Sequence, residues 1–125
     1  MSKAMRSEDP LERYWSLLAC SCFGEQARPL VDLAASRLKD EHPLVRVRAA
    51  EFLGQLGVAK ELVVDTIRDV LATTEDPVEA LITLNTVVFL QDGPQELDFQ
   101  LSARNIRTAS DSQVKRRVDY LKQSQ

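Results

Sequence analysis

The feature that most constrains this chain is a punctuation that recurs. A polar or acidic residue followed by proline occurs at Asp9-Pro10, His42-Pro43 and Asp76-Pro77, with Pro-to-Pro intervals of 33 and 34 residues. Proline suits the first turn of a helix, where its missing N–H costs nothing, and glycine past the last turn ends one. Each proline is followed by about fourteen residues of helical period, Leu11 to Gly24, Leu44 to Gly57 and Val78 to Gln91, with Gly24, Gly57 and Gly93 as the stops. A second apolar-periodic segment follows each stop: Ala27 to Leu38, Lys60 to Leu71 and, less clearly, Gln95 to Ile106. Helix, tight turn, helix and loop at this period predict an all-α, right-handed stack of α-hairpins, none of which can bury its apolar face alone. A last segment, Ser112 to Lys122, carries Val114, Val118 and Leu121 at i, i+4 and i+7 and is expected as a C-terminal capping helix. Three helix pairs plus a cap make seven helices over residues 9–125, with residues 1–8 a flexible N-terminal segment. A compact helical bundle is the competing architecture, but it has no need of the repeated punctuation.

The middle unit is the best formed. Its run His42-Pro43-Leu44-Val45-Arg46-Val47-Arg48-Ala49-Ala50-Glu51-Phe52-Leu53-Gly54-Gln55-Leu56-Gly57 resembles the first helix of the short HEAT-like repeat, of pattern D-P-x-V-R-x-x-A-A-x-x-L-G-x-L-G. The resemblance implies a HEAT-like or armadillo-type superhelix and an inner stripe of Val45, Ala49, Phe52, Leu53 and Leu56. It also implies that Arg46 is a ladder arginine reaching an acid or carbonyl of a neighbouring repeat; a solvated Arg46 is the equal alternative. The outer units are degenerate: repeat one keeps Arg13 at the position of Arg46 but has Glu12 for Val45 and Ser16 for Ala49, and repeat three has Ala80 and Thr83.

Taken together, Asp9-Pro-Leu-Glu-Arg-Tyr-Trp-Ser-Leu, the middle unit, Ala80-Leu-Ile-Thr-Leu-Asn-Thr-Val and Val114-Lys-Arg-Arg-Val-Asp-Tyr-Leu resemble the helical tail that follows the catalytic domain in some bacterial sulfatases. The resemblance implies an accessory C-terminal domain of a sulfatase-like polypeptide. It carries over no catalytic residue, because the formylglycine motif C-x-P-x-R or S-x-P-x-R is missing: Cys20-Ser-Cys-Phe-Gly and Cys22-Phe-Gly-Glu-Gln both lack the Pro and the Arg. The family's acidic calcium ligands have no counterpart either.

Other chemistry finds little footing. With a single His42 and two cysteines, no four-ligand Cys/His zinc site can be assembled. Cys20 and Cys22 point about 200° apart on a helix, so no disulfide joins them, and both are expected as packed free thiols. Carboxylate pairs such as Asp65 and Asp69 look like surface charges, and no Gly-rich phosphate loop is present. The expectation is a chain with no catalytic residue, no cofactor and no metal, and so not itself an enzyme.

The net charge of −3 gives no general attraction to nucleic acid or an anionic membrane. From Arg104 onward, however, six basic residues (Arg104, Arg107, Lys115, Arg116, Arg117, Lys122) face two acidic ones (Asp111, Asp119), a local +4 that leaves −7 for the remainder. This basic end keeps polyanion or nucleic-acid binding as the alternative function, with an acidic body and helix dipole to complement as the plainer explanation. The longest apolar runs, such as Val87 to Leu90, fall far below the approximately 20 residues of a membrane span, so no membrane partner is expected. No targeting signal is evident, and the resemblance leaves export of a longer parent open.

One comparison between units points to a partner. In repeat two Arg48, Glu51 and Gln55 form a polar face; the aligned positions in repeat one are Trp15, Leu18 and Cys22, with Leu11 and Tyr14 beside them. The first helix is therefore apolar on two faces, of which the hairpin can use one. Leu11, Tyr14, Trp15, Leu18 and Cys22 are the candidate interaction face, docking on an upstream catalytic domain or another protein, or on a second copy as a homodimer. The alternative cover is the N-terminal segment around Met1 and Met5. Repeat three has a weaker version at Ile82 and Phe89, which the capping helix is expected to cover.

Overall fold

The computed structural model describes residues 1–95 and 97–123, the side chains of residues 122 and 123 excepted, and among them it contains helices, 3-10 turns and loops but no strand. The helices are α1 (Ser2–Met5), α2 (Pro10–Phe23), α3 (Val31–Ser36), α4 (Pro43–Gln55), α5 (Lys60–Thr73), α6 (Pro77–Gln91) and α7 (Ser112–Gln123). The expected starts are met at Pro10, Pro43 and Pro77, each the first residue of its helix. Asp9 and Asp76 cap α2 and α6 by accepting the N–H of Leu11 and Val78 at 2.9 Å. Gly24 and Gly57 take the positive φ that ends a helix (59° and 73°), whereas Gly93 does not, and α6 stops just before Pro94.

The helix count equals the expected seven by coincidence. The expected second helix of repeat three, Gln95 to Ile106, is not formed: the described part is an extended strap ending in a 3-10 turn at Ala103–Asn105. Its reason is legible as alternation, since Leu97 and Phe99 are buried, Leu101 half-buried, and Asp98 and Gln100 exposed, the period of an extended chain rather than a helix. Arg68 of α5 ties the strap down by donating to the carbonyls of Phe99 and Gln100. The second helix of repeat one is also broken, into 3-10 Gly24–Leu30, α3 and 3-10 Arg37–Lys39, with Pro29 removing a backbone donor.

The additional helix is α1. Met5 has no exposed surface, and α1 packs on α2 and α3, so the packed body begins before Asp9.

α4 is the enclosed element. It packs against α2, α3, α5, α6 and the 37–39 turn, and Val47, Ala49, Ala50, Phe52 and Leu53 have no exposed surface at all. The whole expected stripe of Val45, Ala49, Phe52, Leu53 and Leu56 is buried. Small residues let the neighbours close in: a Cβ on Gly54 would stand 3.0 Å from both Leu90 methyls of α6.

α7 extends the pattern. Val114, Val118 and Leu121 lie 34 residues beyond Ala80, Leu84 and Val87, all six are buried, and α7 packs on α6. By register it is the first helix of a fourth unit. The punctuation is deeper than the prolines, because Ser7, Asp40 and Thr74 recur at the same 33- and 34-residue spacing. Each accepts, through its side chain, the N–H of the residue two on, at 3.1, 3.0 and 3.2 Å.

At the first junction this turn holds a buried ion pair. Arg13 donates from Nε and Nη2 to the two oxygens of Asp40 at 2.8 and 3.2 Å and from Nη1 to the Ser7 carbonyl at 2.7 Å, with side-chain exposures of 6% and 2% for the pair. Arg46, at the equivalent position, reaches Asp69 of its own unit at 3.4 Å instead. No continuous arginine ladder therefore runs between units. Burial alone would raise the pKa of Asp40; the bonds from Arg13 and the His42 N–H, with the charges of Arg13 and Arg37, outweigh it and hold the carboxyl below its ordinary value.

A carboxylate with a depressed folded pKa contributes stability that is fully present above the unfolded value of about 3.9 and fades as pH falls through the lower folded value. Urea midpoints of the wild type and of Asp40→Asn should therefore differ most near neutrality and converge as pH drops below 4. Parallel curves over that range would show that Asp40 carries no shifted charge.

Candidate interaction face

Along α2, residues 13, 17 and 20 point inward and Arg13, Leu17 and Cys20 are buried. At about 100° per residue, Leu11, Trp15, Leu18 and Cys22 then fall within about 60° of each other on the opposite side. The structure leaves that side open: Leu11 is 59% and Trp15 56% exposed, Cys22 is exposed, and Leu18 is half-buried. Tyr14 sits beside them, half-buried toward α4, with the Trp15 ring edge-on at a centroid distance of 5.3 Å. The five sequence candidates thus stand together on one helix. Phe23, 53% exposed, lies at the end of the same helix and was not among them.

α1 does not cover this face. Its Met5 is buried against α2 and α3 while Trp15 stays exposed.

The polar face expected at Arg48, Glu51 and Gln55 is not a solvent face. Glu51 is buried, accepts from Arg48 Nη1 and from the Thr86 hydroxyl of α6 at 3.1 Å, and Arg48 donates from Nη2 to the Tyr14 hydroxyl at 2.9 Å. A chain of polar contacts therefore crosses α2, α4 and α6, with the Arg48 guanidinium also 5.1 Å from the Tyr14 ring centroid. Burial by itself disfavours the charge on Arg48, but the bond to Tyr14 and the Glu51 carboxylate outweigh it and raise its pKa. A polar face on one helix reads as exposed unless its neighbours are known.

The open face does not end at α2. Leu44 and Val78 occupy the position of Leu11 in the next two units, and Phe89 that of Cys22; Val78 is 62% and Phe89 50% exposed. The expectation that the terminal helix covers Ile82 and Phe89 fails for Phe89, which stays half exposed although α7 packs on α6. Between α2 and α4 runs an apolar groove of about 300 Å³, lined by Pro10, Leu11, Tyr14, His42, Pro43, Leu44, Val45 and Glu79. His42 is exposed at its wall.

Among the described residues no group of three or more His, Cys, Asp or Glu stands close enough to hold a metal, and no helix is long and apolar enough to cross a membrane. No family model, no curated protein and no solved structure matches the chain.

The two thiols differ, which corrects the expectation of a packed pair. Cys20 has no exposed surface and burial pushes its pKa up; Cys22 is exposed. Without denaturant, a thiol reagent should label one cysteine quickly, identified as Cys22 by peptide mapping, and Cys20 only on unfolding. Equal rates at both sites would contradict the packing of α2.

Proposed function

We propose that this chain is a non-catalytic helical module that makes protein contacts through the outer face of α2. The observation that carries the proposal is the exposure of Leu11 and Trp15, each by more than half, on a face where Leu11, Trp15, Leu18 and Cys22 bring no charge. Aromatic residues left open beside an apolar groove are the composition of an interface centre rather than of a solvated helix side. The resemblance of the Asp9, Ala80 and Val114 segments to the tail of bacterial sulfatases supports a finer reading. In it the chain is an accessory domain, and the α2 face docks on the catalytic domain of the same polypeptide. The missing C-x-P-x-R and S-x-P-x-R motifs support a non-catalytic role.

In isolation, an uncovered face of this kind should associate with a second copy. Static light scattering across a concentration series should show wild-type self-association, and Leu11→Glu with Trp15→Arg should give a monomer. The thermal transition should stay close to wild type, because exposed substitutions usually move stability by within about 0.5 kcal/mol. A monomeric wild type together with an unfolded double variant would place both residues in the core and end the docking reading. Separately, an in-frame C-x-P-x-R or S-x-P-x-R motif a few hundred codons upstream would support the sulfatase part, and an upstream sequence without either would remove that part alone.

A further inference from the structure

We propose that the cavity at the junction of the first two units, between the link from α1 to α2 and the turn before α4, binds a phosphate group through Arg37, with Arg6, Lys39 and the Ser7 hydroxyl around it. The site lies on the Arg13 side of α2, away from Leu11 and Trp15, and does not depend on the docking reading.

The cavity measures about 450 Å³, and the buried pair of Arg13 with Asp40 forms part of its lining. Asp40 is fully engaged: both of its oxygens accept from Arg13, and one also takes the His42 N–H at 3.0 Å. Arg37 approaches the same carboxylate with Nη1 at 3.6 Å, beyond a hydrogen bond, and its Nε is buried with no hydrogen-bond partner. Two guanidiniums thus share one carboxylate, and the second lacks the acceptor that the first has. Arg13 shows what that acceptor is, since its Nε and Nη2 grip two oxygens of one group at 2.8 and 3.2 Å. A buried donor left unpaired is costly, and the same edge of a guanidinium takes carboxylate or phosphate oxygens. The Arg37 side chain, 26% exposed, borders the cavity, and among the described residues no hydrogen bond holds it, so a small turn presents that edge to an occupant.

The surroundings favour phosphate over carboxylate. Exposed Arg6 and Lys39 line the same cavity, and neither makes an ion pair among the described residues. Ser7 Oγ accepts the Asp9 N–H, which leaves its own proton to donate. Donors therefore come from two segments, residues 6–7 and 37–39, more than the two oxygens of a carboxylate take and a match for a tetrahedral oxyanion. Glu8 and Glu41 also line the cavity; both are exposed, Glu8 makes no ion pair among the described residues, and Glu41 approaches only His42, at 3.7 Å. The lining thus holds four cations, Arg6, Arg13, Arg37 and Lys39, against three carboxylates, and the unmet charge falls on Arg37. The two exposed carboxylates oppose an anion, so removing them should tighten binding.

Inorganic phosphate is titrated against the full chain at constant ionic strength, held with chloride, and its binding is followed by the phosphorus NMR line width. Glycerol phosphate is titrated in the same way, and acetate is tested as a competitor. Inorganic phosphate should bind saturably, with acetate at least about tenfold weaker. Arg37→Gln should weaken phosphate at least about tenfold, and Arg6→Gln with Lys39→Gln by about threefold, exposed cations contributing less. Glu8→Gln with Glu41→Gln should tighten it. Lys115→Gln with Arg116→Gln on α7 should change nothing, which separates this site from basic surface in general.

Tighter binding of glycerol phosphate would assign the site to phosphate carried on an organic molecule, and equal or weaker binding to the free ion; either supports the inference. No saturable binding would overturn it, and so would acetate competing as well as phosphate binds. Indifference to Arg37→Gln, or an equal loss in the α7 variant, would place the phosphate elsewhere and overturn it too. Should Arg37→Gln lose its fold by circular dichroism, the exposed double variants at Arg6 and Lys39 and at Glu8 and Glu41 decide, and an affinity unmoved by both would overturn the inference.

Discussion

The structure depends on the enclosure of α4. A helix with neighbours on every side must supply small residues where they approach and must satisfy its own polar groups, because water cannot reach them. Ala49, Ala50 and Gly54 meet the first demand; a methyl group at the Gly54 position would press on both Leu90 methyls at 3.0 Å. The second is met in part, by linking polar residues of α4 to its flanking helices, Arg48 to Tyr14 on one side and Glu51 to Thr86 on the other, while Arg46 Nε, Arg48 Nε and Gln55 Oε1 are buried without a hydrogen-bond partner. A buried pair of this kind adds little net stability over an apolar substitute, yet losing one member alone is costly. Its effect is to set which turns of α2, α4 and α6 lie opposite one another.

The units become less regular away from α4, in a way that follows from what each must cover. Repeat one has α4 on one side and only the single-turn α1 on the other, and its second helix is fragmented around Pro29. Repeat three replaces its second helix by a strap in which Leu97 and Phe99 do the covering and Arg68 supplies the anchor. The first helix of the third unit, α6, also has a full helix on each side, α4 and α7, but only the middle unit follows its first helix with an unbroken second one, α5. The ion pair of Arg13 with Asp40 fastens the irregular first unit to the regular second through the same turn that opens the first three units.

Helix starts were legible because Asp-Pro and His-Pro act locally, and the α4 stripe because its period is unambiguous. The strap was not, since a window from Gln95 to Ile106 tuned to helical period overlooked the alternation of Leu97, Asp98, Phe99, Gln100 and Leu101. The open side of α2 was legible by comparing units, because Trp15 and Arg48 share a register yet differ in chemistry. The polar chain from Tyr14 to Thr86 was not, since its members lie 34 and 35 residues apart in the contacts they make. Likewise Cys22 fits a packed thiol by type and the open face by register, and only the orientation of α2 decides between the two, leaving it exposed.

The account's central claim is that α4 is the element whose loosening requires the whole domain to unfold. Native-state hydrogen exchange across a denaturant series measures this directly. The amides of Ala49 to Leu53 should exchange only through global unfolding, at the highest free energy in the chain, while α3 and the 97–106 strap open earlier. Exchange of the Ala49 to Leu53 amides by a local opening that precedes that of α2 or α5 would contradict the claim.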